Sequence, residues 1–452
     1  MATASGVVHH SPAGRYGPWP SRLRAVAPLA PLLALIALLM APVADGASGG
    51  ATLADAASGV VVVHCALRLL RRRSRPLSPT AALVLGLPVL GICLACVTSA
   101  DPWASLPGVG RYLQVFVLVP TAVLLLVRTR RDFAVVAWAL VALALGQGAI
   151  GVGQFLTGTG ASYMGSEVRA VGTFGASDVM GMSTVVSYGL VVAVGLALGL
   201  GRDDGAASRR AALVCAVLLV VPLVLSFSRG AWIATVVACA LQLLLSGGRR
   251  AVRVLATVAA LGVVLVLGLG VGSSMVKERA ASISQVSGAP DQSVTDRYTM
   301  WAAAVRMWGD DPVTGVGLKG FPQYRDSNAS LALSAGSDTA GAGQAFKKQP
   351  LLSPHNMYLL VLGEQGLVGL TALAGSWAAL LVLALRRLPG AVRTGRDAHC
   401  ALVALGLLVW QLVDFAYADI GGPSTVLTSV VLGLAAAWAL RGRAGEPGAL
   451  RG

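Results

Sequence analysis

The stretch VPLVLSFSRGAWIATVV, Val221 to Val237, sets one arginine between two apolar runs. At the centre of a bilayer that arginine would cost roughly 2.5–3.5 kcal/mol, and an ionisable residue at membrane depth is a functional hypothesis by default. Either Arg229 is buried in one long span, or it marks the turn between two. The second reading fixes how the chain on both sides is threaded, so the depth and side of Arg229 come first.

The chain has 452 residues, 56% of them hydrophobic and only 12% charged, with a mean hydropathy of +0.74. Soluble domains carry about 25% charged residues. The composition therefore indicates an all-α polytopic membrane protein. Runs long enough to cross roughly 30 Å of hydrocarbon at about 1.5 Å per residue fall near 25–44, 52–70, 79–98, 112–127, 133–156, 179–200, 211–227, 231–246, 254–272, 356–385, 399–417 and 422–440. This reading gives about 12 transmembrane helices. Asp55 and His64 dilute the second segment, while Glu364 and Gly366 near the start of the tenth mark it for a break. Three regions result: an N-terminal membrane region over 1–272 with about nine helices, a loop with a helical segment over 273–355, and a C-terminal membrane region over 356–452 with about three helices.

Basic residues orient the spans. Alternating sides from the N-terminus, one side collects 24 of the 35 Lys and Arg in seven segments. The short loops opposite hold only Arg111, Arg169 and Arg229, and the long loop holds the remaining eight. Cytoplasmic loops carry the excess of Lys and Arg. Both termini are therefore expected in the cytoplasm, with Arg229 and the long loop on the outer face of the cytoplasmic membrane. The same scatter explains the net charge of +15 without nucleic acid. The first segment has the basic start and small residues (ALLMAPVADGA) of a signal peptide, but its apolar run is longer than usual, so a retained span is expected. Six cysteines lie in or beside apolar segments. They indicate no disulfide framework, and Cys93-x-x-Cys96 reads as membrane-helix residues rather than a redox or metal pair.

Within the outer loop, 273–291 looks flexible. A helix capped at Thr295 or Asp296 follows, with Arg297, Trp301, Val305 and Trp308 on one face. Asp311-Pro312 ends it, TGVGLKGF makes a glycine-rich turn, and 326–348 reads as a mobile loop.

Three outward-facing residues could carry chemistry. Arg229 sits in SFSRGAW, Arg297 in the first helical turn of TDRYTMW, and His355 in SPHNMYLL where the chain returns to the membrane. Each also has a plain reading: an arginine that snorkels to headgroups, a solvated helix charge, a helix-start histidine. Their common side favours a joint role. Two guanidiniums match phosphate oxygens, a neutral imidazole can take a proton from a hydroxyl, and amides at a helix start would add donors for the same anion. No acidic pair or metal-ligand cluster accompanies them in the sequence, so no metal and no cofactor is expected. A lipid diphosphate fits: its diphosphate lies at headgroup level and its chain needs apolar spans.

At these residues the chain resembles a known family. SFSRGAW, DRYTMWAAAVRMWGDDPVTGVGLKGF and PHNMYLLVLGEQGLVGL resemble, in order and spacing, signatures of the O-antigen ligase and Wzy-type O-antigen polymerase superfamily. RAVGTFGASDVMG, 169–181, looks like that family's outer-loop motif, in which Asn commonly stands where Asp178 does here. The resemblance covers roughly 165–370 and implies a bacterial membrane glycosyltransferase with a GT-C-like fold. Such an enzyme transfers a glycan from undecaprenyl diphosphate to a glycan, lipid or protein acceptor. It also implies Arg229 and Arg297 as diphosphate ligands, His355 as the group that activates the acceptor hydroxyl, Arg169 as a possible substrate contact, and Glu364 either as a support for His355 or as part of a broken helix. The shared motifs leave ligation, polymerisation and protein glycosylation open. Two other classes stay open on the residues alone. A transporter or flippase would place its site at the midplane, often with an internal repeat, and none is evident; a noncatalytic scaffold would leave His355 without a necessary role.

Overall fold

The computed structural model describes residues 26–42, 52–73, 77–163, 168–178, 180–201, 205–247, 292–330, 333, 337–341, 347–349, 351–395, 397–422 and 424–441. Its helices are α1 (Ala30–Leu38, led in by a 3-10 turn Ala27–Leu29), α2 (Leu53–Arg72), α3 (Pro79–Thr98), α4 (Pro102–Leu126), α5 (Arg130–Thr157), α6 (Gly181–Gly199), α7 (Ala206–Leu225) and α8 (Arg229–Ser246). Then come α9 (Gln292–Asp310), α10 (Phe321–Asn328), α11 (Met357–Thr394), α12 (Ala398–Asp414) and α13 (Thr425–Ala439). Among the described residues eight helices, α2 to α8 and α11, are long and apolar enough to cross a membrane, and Ala27–Leu38, α12 and α13 are shorter apolar helices. The chain is a polytopic membrane protein. Every apolar segment read from the sequence has a helix except 254–272, which lies outside the described residues, as does the 273–291 stretch.

The span expected from 112 begins ten residues earlier, at Pro102. Asp101 caps it by accepting from the amides of Trp103 and Ala104, and proline is tolerated in a first turn, where its missing N–H has no partner to lose. This helix contains a π-turn at Gln114–Leu118.

A helix that is apolar all round belongs inside a bundle, and α13 is buried along its whole length. Most of α6 and α12 is buried with it. By contrast α2, α3 and α7 expose lines of Val and Leu, including Val63, Leu70, Leu83, Leu90, Val217 and Val220, as expected of surfaces that face hydrocarbon. Close packing rests on small residues, as in many membrane bundles: a Cβ on Gly91 of α3 would lie 2.5 Å from Gly369 Cα of α11.

The break marked at Gly366 is present. Gly366 has φ +61° inside α11, a conformation that costs any L side chain. The chain crosses the gap by borrowing partners from the glycine-rich turn. Val316 and Gly317 donate to the carbonyls of Gly363 and Glu364, at 3.0 Å each, while Leu367 and Val368 donate to Pro312 and Val313 at 3.0 and 3.2 Å. Backbone groups at membrane depth must find internal partners, and four of them do so here.

Three expectations need correction or detail. First, α9 starts by Gln292, so Arg297 is in its second turn and the amides of a helix start do not gather around it. Second, the face through Arg297, Trp301, Val305 and Trp308 is the partly exposed one, and the buried face of α9 is Asp296, Met300, Ala303, Ala304 and Met307. The two tryptophans lie on its flank because each indole N–H needs an acceptor, Pro354 O at 2.9 Å and Pro312 O at 3.1 Å. Third, 326–348 is not simply a loop: α10 runs into it, and β3 (Ser337–Gly341) and β4 (Lys347–Gln349) join β1 (Ala161–Tyr163) and β2 (Val168–Arg169) in an antiparallel sheet of order β2-β1-β3-β4. The register pairs Ala161 with both Arg169 and Gly341. This sheet is the one described departure from an all-helical fold.

Candidate functional site

The bundle has two unlike ends. At one, Arg441 donates to the Val127 carbonyl and Arg387 donates to the Arg441 carbonyl while stacking 5.0 Å over Trp438. At the other lie the sheet, α9, α10 and every sequence-based site candidate.

Arg229 is the first residue of α8. The chain turns at Ser226-Phe227, Phe227 takes φ +50°, and Ser228 caps α8 by accepting from the amide of Ala231 at 3.4 Å. The turn reading of the opening stretch therefore holds. A cation at a helix start opposes the helix dipole, and left-handed backbone at a phenylalanine is a steric outlier, so neither feature follows from local preference. On β2, Arg169 is in register with Ala161, and the next residue, Ala170, donates to Leu225 O at 3.3 Å, beside that turn.

His355 also has positive φ, +49°. Its neighbours hold it there. Trp301 anchors the preceding residue through Pro354 O; Asn356 caps α11 by accepting from the amide of Leu359 at 3.0 Å and donates to Ala416 O at 3.1 Å. Strained backbone that neighbours over-determine is characteristic of functional positions.

The element that gathers these residues is 415–424, the connection between α12 and α13. It has no counterpart among the sequence-based candidates. Arg297 Nη1 donates to Tyr417 O at 3.3 Å. Tyr417 packs on Gly230, where a Cβ would come 3.2 Å from that of the tyrosine. The amide of Met357 donates to Phe415 O and Ala418 O at 2.8 and 3.0 Å. Arg111, paired with Asp55, donates to Gly422 O at 3.0 Å, and the amide of Ser424 donates to Asp178 Oδ2 at 3.1 Å. Beneath it, Phe415 stacks on Trp377 at 4.8 Å.

Asp419 completes the group. Its Oδ2 is buried without a hydrogen-bond partner among the described residues, which calls for an explanation in a folded protein. Burial pushes the His355 imidazole below its ordinary value; Asp419 pulls it back up and Arg297 pushes it further down. The imidazole is thus held below its ordinary value and is neutral near pH 7. Glu364 is placed differently: it is buried and accepts from the Phe321 amide at 3.1 Å, which ties α10 to the broken helix, whereas the acid whose charge acts on His355 is Asp419. Asp178 is held by the Ser424 amide; burial raises its carboxyl, and the hydrogen bonds from Ser424 and the Gly181 amide oppose that rise.

A sequence signal for the missed loop does exist. FAYADIGG carries Asp419 five residues after Asp414, between two buried apolar helices, in a chain with only 20 acidic residues. An acid so placed is a functional hypothesis by the rule that flags Arg229.

Residues 214–374 match the family described as O-antigen ligase, a stretch that runs from α7 into α11 and includes Arg229, Arg297, His355 and Glu364. No curated protein matches the chain. Arg229, Arg297 and His355 thus all lie within the stretch that is similar to the O-antigen ligase family.

Proposed function

We propose that the protein is a metal-independent glycosyltransferase of the cytoplasmic membrane that moves a glycan from undecaprenyl diphosphate to an acceptor hydroxyl on the outer face, as a ligase or a surface-polysaccharide polymerase. In this reading the fold has twelve spans in a GT-C-like arrangement, with both termini in the cytoplasm. The arginine distribution and the apolar segment at 254–272 support it. The observation that carries the proposal is the shared support of the three residues: one loop, 415–424, holds Arg297, packs beside Arg229 and fixes the residue after His355.

His355 takes the proton of the acceptor hydroxyl, whose oxygen bonds to the anomeric carbon as the bond from that carbon to the diphosphate oxygen breaks. Undecaprenyl diphosphate leaves with the electron pair. Arg229 and Arg297 offset its charge, which is the form of stabilisation that contributes most when donors are fixed in advance. Asp419 acts through His355 as a positioning residue, stabilising the imidazolium. Arg169 contacts donor or acceptor from β2, and Glu364 keeps the broken helix in register.

The test uses purified protein with a lipid-diphosphate oligosaccharide, following diphosphate release and glycan extension together. Loss of both in Arg229→Ala, Arg297→Ala and His355→Ala, in protein that remains folded, is the expected result. Wild-type transfer by all three variants would refute the site.

A further inference from the structure

We propose a second ligand site, at the arginine-rich end of the bundle, that binds an anionic phospholipid. A cavity of about 330 Å³ opens between α2, α3 and α4, within the range of roughly 300–1,000 Å³ typical of ligand pockets. Cys65, Gly86, Val117 and Ala122 line it, and Ala66 and Leu118 on its rim are exposed, so it faces hydrocarbon rather than the bundle interior. Val117 and Leu118 belong to the π-turn of α4, a widened turn of a kind frequent at functional positions. Space beside the chain is open at Gly86, where an added Cβ would meet nothing within 4 Å.

The cavity ends under cations. Arg128 Nε donates to the carbonyl of Leu125, a lining residue, at 3.2 Å. Arg68 lies within electrostatic reach of Arg72 and Arg128, and both Arg68 and Arg128 act on the Cys65 thiol in the cavity wall. The acid near them, Asp132, is occupied by the amides of Arg128 and Thr129 at 3.0 and 2.9 Å. Arg68 has no ion-pair partner among the described residues. Like charges held together at headgroup level above an apolar groove match a ligand with a phosphate at one end and a hydrocarbon chain at the other. Basic pockets between membrane helices take anionic lipid headgroups for this reason. The site is independent of the transfer chemistry and of Arg229, Arg297 and His355, which lie at the opposite end.

The experiment is native mass spectrometry of the full chain released from detergent after incubation with dioleoylphosphatidylglycerol or dioleoylphosphatidylcholine. Retention of the anionic lipid is expected to exceed that of the zwitterionic lipid by about tenfold, and to fall by a similar factor in the Arg68→Gln/Arg128→Gln double variant. Gly86→Leu, which fills the groove and leaves the cations, is expected to lose the adduct as well, and millimolar inorganic phosphate to leave it in place. Equal retention of the two lipids, an anionic adduct that survives the double variant, or lipid-free dimers that Gly86→Leu dissociates would overturn the proposal. If Gly86→Leu does not fold, the double variant decides.

Discussion

Arginine does different work at the two ends of this bundle. At one end, Arg128, Arg387 and Arg441 reach carbonyls at helix ends, where a cation complements the negative pole of the helix dipole and snorkels readily to the interface. At the other end, Arg229 stands at the wrong pole of α8 and Arg297 reaches across the bundle to a carbonyl of the α12–α13 connection. Number therefore says little about function here. Arg128, Arg387 and Arg441 sit where a helix end favours them, whereas Arg229 sits at a pole that opposes it.

That contrast can be broken most directly by truncation. His355→Ala is expected to reduce glycan transfer roughly 10²–10⁴-fold, the usual contribution of a general base, and Arg229→Ala or Arg297→Ala by about 10²–10³-fold. Arg393→Ala, at the opposite end, is expected to stay within about twofold. Initial rates with a lipid-diphosphate donor make the comparison, and equal losses at both ends would erase it. The pH profile sharpens it next. In the proposed mechanism neutral His355 is the active form, so activity is expected to fall as pH drops through its pKa. Asp419→Asn removes the influence that raises this value, moving the acidic limb to lower pH; Arg297→Gln removes one that lowers it, moving the limb to higher pH. Shifts in the same direction would disprove the assignment of Asp419.

Smaller effects concern the framework. Gly366→Ala places a methyl group 2.4 Å from the Val313 carbonyl at φ +61°, and is expected to cost about 1–3 kcal/mol, read as a lower melting temperature in detergent. Least of all should follow from Asp178→Asn. The amide oxygen can still accept from Ser424, so transfer and melting are expected to remain near wild type, whereas Asp178→Ala leaves that amide unpaired at roughly 1–3 kcal/mol.

Much of this molecule is legible in its sequence because hydrocarbon imposes a simple code. Apolar length locates α2, α3, α5 and α6 within a few residues, and the alternation of arginines separates the two ends. The Gly366 break is legible for a related reason: a glycine beside a glutamate early in a span is poor helix. Where water takes over, the code weakens. The start of α9 is displaced because Asp296, which resembles a cap, is instead buried within the helix. The sheet is hidden because its strands lie far apart in the chain and pair through backbone rather than through any alternating pattern. The α12–α13 connection escapes notice because it is short, and its contributions are mostly carbonyl groups, which every residue owns. The flanking motifs single out Arg229 and His355 as candidates; the atoms that support them carry no such signal.

The splice between the glycine-rich turn and α11 bears on how the protein is made. Residues 312–316 leave the ribosome well before 363–368, so the turn that completes the broken helix is made before the helix it completes. If the turn were shortened or exchanged for another, α11 would have to insert with four backbone groups facing lipid. The glycine-rich turn therefore serves the later span as a built-in assembly template, and its replacement should be judged first by the yield of inserted protein.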